Sequence, residues 1–177
     1  DDLGLPRNLA AITEERLRRA GKKLASANPL FRGDYGFRLF RLDTSNVRAW
    51  DPSCEDLEAA LLDYSSRIVP GRSQVDLLYE LLLKFGIDLC TPILQKEIAR
   101  KKVYAVGDGV LIVCLEDQID RTSAEALAAG IVSWNEELAP AGGASCIFRD
   151  DAFPSDVEKL NLSAVLEQQG ILATKFL

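Results

Sequence analysis

Apolar positions recur first at helical spacing. Leu9, Leu17, Ala20 and Leu24 fall on one side of a 3.6-residue wheel, and the pattern predicts an amphipathic helix through "TEERLRRAGKKLA". Thr13 stands where an N-cap belongs, with two glutamates behind it and cations further on, an order that suits the helix dipole. Asn28-Pro29 stops the helix. "GFRLFRLD" then sets Phe37 and Leu39 against charged neighbours and predicts one strand, although Phe40 and Leu42 break strict alternation. "WDPS" turns into a second helix capped by Ser53, with Leu57, Leu61, Tyr64 and Ile68 on its apolar face and Pro70-Gly71 closing it.

From Ser73, "SQVDLLYELLLKFG" is apolar over most of its circumference. Val75, Leu78, Leu82 and Phe85 share one face and Leu77 and Leu81 adjoin it, which predicts a helix buried on two sides and stopped by Gly86. Three β-prone runs follow: "PILQKEIA", "KKVYAVG" and "GVLIVCL". Gly107-Asp108-Gly109 joins the last two. A G-x-G wraps phosphate where it opens a helix whose free N–H groups meet the anion. Here it opens a continuous β-branched run, so the glycines are expected to supply the positive φ angles of a tight hairpin. "TSAEALAAGIVSWNEEL" places Leu127, Ile131, Trp134 and Leu138 on one helix face behind a Thr122 or Ser123 cap. "GGASCIFRD" reads as a short strand, "SDVEKLNLSAVLEQQG" as a helix capped by Ser155, and "ILATKFL" as a last strand. The predicted fold is α/β, a small mixed sheet with a β-hairpin and flanking helices, preceded by a basic amphipathic helical arm. Residues 1–50 form the arm and its strand, and residues 51–177 the α/β domain.

Composition narrows the chemistry. A chain of 177 residues with 47% hydrophobic positions can bury a core unaided. It opens on Asp1, contains no methionine and carries no leader pattern, so it is expected to be a piece of a longer protein. Its longest apolar runs carry charges and fall short of the roughly 20 residues a membrane span needs, and a cytoplasmic location is expected. The chain has no histidine, which removes imidazole bases, triads and metal ligands. Cys54, Cys90, Cys114 and Cys146 include no C-x-x-C pair, so they read as reduced thiols with no zinc site.

Charge is unevenly distributed. Residues 1–50 carry ten Lys/Arg against six Asp/Glu, or +4, and residues 51–177 carry eleven against twenty-one, or −10. The acidic body is ill suited to lie on nucleic acid, whereas the cations of the first helix, Arg16, Arg18, Arg19, Lys22 and Lys23, are candidates for contact with DNA phosphates. Asp150 and Asp151 follow the apolar strand "SCIF" at the carboxyl end of an expected parallel strand, where open α/β sheets place their sites. The pair is a candidate magnesium site, and equally the choice a loop before a helix makes on dipole grounds. Asp117 and Asp120 read as a solvated turn.

Four separated blocks add a resemblance. In "ITEERLRRAGKKL", "LFRLDTSNVRAWD", "VDLLYELLLKFGIDLCTPI", and the hairpin with its following "CIFRDDAF" and "DVEKLNL", the chain resembles the carboxyl-terminal region of the modification subunits of type III restriction-modification systems. The match runs in order over most of the chain. It implies a parent that methylates adenine N6 in DNA with S-adenosylmethionine, through a DPPY-type motif and an F-x-G-x-G-type loop upstream of the region resembled. Neither motif is in this chain, so no catalytic, cofactor or metal residue is carried onto it. The resemblance implies an assembly or support domain whose partners are a second modification subunit, a restriction subunit with translocase and nuclease parts, and double-stranded DNA bound through the full-length protein. Two other readings stand beside it: a nucleic-acid binder using the basic helix, and a small metal-dependent enzyme using Asp150 and Asp151.

Overall fold

A computed structural model of the chain describes residue 6 and residues 8–30, 32–48 and 68–177. The helix expected from Ser53, and Cys54 within it, lie outside these residues. Its last apolar position, Ile68, is described and forms an isolated bridge with Val47. The chain divides into two units, Asp1–Leu42 and Asp43–Leu177.

In the first unit, α1 (Leu9–Ala27) begins one turn earlier than expected. Asn8 is the cap, its Oδ1 accepting the Ala11 N–H at 2.7 Å. Thr13 lies inside the helix and donates its hydroxyl to the Leu9 carbonyl at 2.9 Å. Asn is at least as good a cap as Thr and comes first in the chain. The strand expected at residues 37–42 is not formed. Phe37, Leu39, Phe40 and Leu42 fall on both parities, so no register gives the segment one face to bury. It is extended without joining a sheet among the described residues, and Tyr35 lies against α1 where Gly21 has no side chain: a Cβ there would stand 3.4 Å from the Tyr35 carbonyl oxygen.

The second unit is a mixed five-stranded sheet with helices on both faces, the fold class read from sequence. Its strands are β1 (Ile93–Ile98), β2 (Lys101–Val106), β3 (Leu111–Cys114), β4 (Ser145–Phe148) and β5 (Ala173–Phe176), neighbours in space in chain order. β1, β2 and β3 pair antiparallel; β3, β4 and β5 pair parallel. On one face of the sheet Tyr104, Val106, Val113 and Ile147 meet α2 (Gln74–Lys84). The parallel pairs are linked through α3 (Arg121–Leu138) and α4 (Asp156–Gln168). Both crossover helices cover the opposite face, where Val103, Ala105, Ile112, Cys114, Cys146 and Phe148 meet Leu127, Ile131, Trp134, Leu162 and Leu166. The period-two alternation of each central strand thus divides its side chains between two cores.

The Gly107-Asp108-Gly109 hairpin is present, with φ of +60°, +56° and +92°. A second tight turn, between β1 and β2, carries no turn signal in the sequence because Ala99 and Arg100 occupy its left-handed positions, at +50° and +61°. α2 buries Leu77, Leu78, Leu81 and Leu82 on one side only; Val75, Leu83 and Phe85 are exposed, so the expected burial on two sides is not found. Two caps also differ. Asp120, not Thr122 or Ser123, caps α3, accepting the Ser123 N–H at 2.7 Å. Ser155 holds the cap position of α4 without bonding its backbone, and its hydroxyl donates to Glu158 instead.

Candidate functional site

The carboxyl ends of β3 and β4 converge with the first turn of α4, where Asp117, Arg149, Asp150, Asp151, Asp156 and Lys159 form a set of ion pairs. Arg149 follows β4 immediately and is 9% exposed. It donates from Nε to Asp151 Oδ1 at 2.9 Å, from Nη2 to Asp151 Oδ2 at 2.8 Å, and from Nη1 to Asp117, just beyond β3. This is a bidentate fork on one carboxylate with a third bond to another, the geometry in which guanidinium outperforms ammonium. The Asp151 bonds, and then the charges of Asp151 and Asp117, raise the Arg149 pKa against the opposing effect of burial. Beneath the network, the Phe148, Phe153 and Phe176 rings pack at centroid distances of 5.6–6.1 Å.

Asp150 and Asp151, adjacent in a 3-10 turn (Asp150–Ala152), are not joined at one point. Asp151 belongs to Arg149. Asp150 accepts from Lys159 Nζ at 2.7 Å, and the same ammonium reaches Asp156 at 2.9 Å. Arg149 thus ties the end of β4 to Asp117 beyond β3, and Lys159 ties Asp150 to α4; no group of three metal-ligating side chains occurs among the described residues. Asp117 and Asp120 are both exposed, as expected of a solvated turn, and each also makes definite bonds. Asp117 completes the Arg149 clasp, and Asp120 is held at about 2 by the Ser123 N–H and the Thr122 and Ser123 hydroxyls. Sequence reasoning passed over Arg149, although an arginine between an apolar strand and two aspartates was its visible signal.

Beside the clasp, Leu77, Leu81, Leu115 and Leu177 line an apolar cleft of about 60 Å³, room for about two waters. Across the sheet, α3 and α4 leave a shallower groove of about 310 Å³, floored by Ala124, Ala128 and Val165. Cys114 and Cys146 are buried, and desolvation pushes their thiols up to about 11 and about 12, where thiolate chemistry is suppressed. Cys90 is exposed.

The five cations of α1 separate into two sets. Arg18 pairs with Glu14, and Arg19 with Glu15 at 2.7 Å, both one helical turn away. Arg16, Lys22 and Lys23 have no ion-pair partner among the described residues. The remaining charge is thus three residues, interrupted by neutralised ones.

The G-x-G turn leads into β3 and not into a helix, and a Cβ at Gly109 would stand 2.9 Å from Leu138, so this glycine makes room for α3. No helix among the described residues is long and apolar enough to cross a membrane. Comparison of the chain with protein-family models, curated proteins and solved structures gave no match.

Proposed function

We propose that this chain is the carboxyl-terminal assembly domain of a type III restriction-modification DNA adenine N6-methyltransferase subunit, acting in the cytoplasm and contributing to subunit dimerisation or to contact with the restriction subunit. The in-order resemblance motivates the parent family. The observation that carries the assembly role is the outer surface of the α/β unit. Val157 and Leu160, one turn apart on the crossover helix α4, are 64% and 69% exposed. Crossover helices of an isolated α/β domain turn polar residues outward, and apolar side chains grouped there mark interaction surfaces. The polar residues placed where a reaction centre would stand are instead bonded to one another as braces. S-adenosylmethionine, on this reading, serves the parent's upstream half, and DNA is bound through the full-length protein.

The test is a Leu160→Cys chain labelled with a thiol reagent and read peptide by peptide. Labelling of that site should slow at least tenfold as protein concentration rises or when modification or restriction subunit is added. A rate indifferent to all three would remove α4 from any interface.

A second reading, direct nucleic-acid contact by α1, draws on Arg16, Lys22 and Lys23, which have no ion-pair partner among the described residues. It requires salt-sensitive duplex binding by this chain that disappears when Arg16, Lys22 and Lys23 are neutralised.

A further inference from the structure

The first unit has an imbalance that the phosphate reading does not absorb. None of the side chains of α1 is buried. Leu9 is 81% exposed, Leu17 48% and Leu24 51%, and the extended segment that follows adds Phe37, Leu39 and Phe40 at 40–65%. With Ile12, at 54%, these give the unit a series of large apolar side chains each at least two-fifths exposed, the kind of surface that marks a protein-interaction site. A phosphate backbone offers nothing to such a surface. Beside the apolar stripe stand Arg16 and Lys23, with Lys22 further round, all three without ion-pair partners among the described residues.

The two features together select the chemistry of the occupant. A second copy of the arm would match apolar against apolar but would set unpaired cations against each other, a like-charge arrangement that interfaces avoid. A partner whose apolar groove is rimmed by carboxylates satisfies both features. We infer that residues 8–42 are a docking arm for an acidic, apolar protein surface, engaged through the leucine stripe of α1 and steered by Arg16, Lys22 and Lys23. The inference rests on the assembly reading and names one of its surfaces.

The experiment uses the whole chain and two synthetic helical peptides with the same leucine heptads, one flanked by glutamates and one by lysines, followed by fluorescence anisotropy. The glutamate peptide should bind at least tenfold tighter than the lysine peptide. The triple variant R16E/K22E/K23E should reverse that preference, and L17D/L24D should abolish binding of both, with helicity checked by circular dichroism. Equal binding of the two peptides overturns the inference. So does duplex DNA binding tighter than the glutamate peptide and surviving L17D/L24D, or self-association lost in L17D/L24D. If the peptides do not discriminate while Leu160→Cys is still protected on association, the docking arm fails and the assembly domain stands; loss of both removes the two together.

Discussion

Arg149 can be charged and buried at once because three of its nitrogens are bonded to carboxylates. Replacing it with alanine strands Asp151, whose side chain is 19% exposed, without a countercharge. Urea denaturation of Arg149→Ala is expected to show a loss of about 3 kcal/mol, and Arg149→Lys should recover only part of it, since an ammonium cannot span two carboxylates as a fork does. A variant as stable as the parent would mean that the clasp is ornamental. Ala99 and Arg100 present the opposite case, two side chains in a left-handed conformation that costs roughly 1 kcal/mol or more each outside glycine and asparagine. The double substitution Ala99→Asn with Arg100→Gly installs the preferred Asn-Gly pair for such a turn, and it is expected to raise the thermal midpoint by a few degrees. An unchanged or lower midpoint would place the turn's backbone elsewhere. The same two residues show why this hairpin was illegible in sequence, since the signal for a two-residue turn is the residue type that this one lacks.

At the scale of elements, the central strands could be read as continuous β-prone runs because both of their faces are buried, and the two crossover helices from periodicity because each has an apolar face that finds a core. Caps and edges were less legible. Thr13 and Thr122 are acceptable caps by type, but Asn8 and Asp120 precede them, and helices start at the first residue able to bond the free N–H groups. The segment at 37–42 has strand-like composition, yet a strand needs a ladder, and composition does not show where one is available. The contact between α3 and the end of β1 was also invisible. A Cβ on Gly130 would lie 2.2 Å from Ile98 Cγ2, an atom that cannot swing away because it branches at Cβ. Gly130→Ala is therefore expected to cost about 1–2 kcal/mol despite the better helix propensity of alanine. In the Ile98→Ala background the same change should be neutral or stabilising, and strict additivity in the double-mutant cycle would contradict the contact.

At the scale of the molecule, the sequence disclosed an acidic α/β body and a basic arm, whereas the candidate site was legible only in part. Asp150 and Asp151 were found by their position at a strand end, and Arg149 stood in view two residues before Asp151, but Lys159 is nine residues from Asp150 and the clasp is closed by Asp117, 32 residues from Arg149 beyond the neighbouring strand; pairing at those separations leaves no local pattern. The body is expected to lose stability in acid through similar bonds. Burial pushes the Glu80 carboxyl up, but bonds from Lys84, the Ser45 hydroxyl and the Asn46 N–H together outweigh it and hold the group at about 2, against an ordinary value of 4.5. A carboxyl so depressed stabilises the fold fully above about pH 4.5 and progressively less as pH falls toward 2. Glu80→Gln is expected to flatten the stability profile across that window and leave its slope above pH 5 unchanged; an identical slope in both proteins would contradict the assignment. The central claim, that the exposed apolar faces exist to be covered by other subunits, is tested most directly by the mass of the whole chain in solution. Light scattering at several concentrations, from low to high salt, should show a species heavier than the 19.5 kDa monomer that persists in salt, or a monomer that becomes a stable complex when modification or restriction subunit is added. A monomer at every concentration that binds neither subunit would contradict the account.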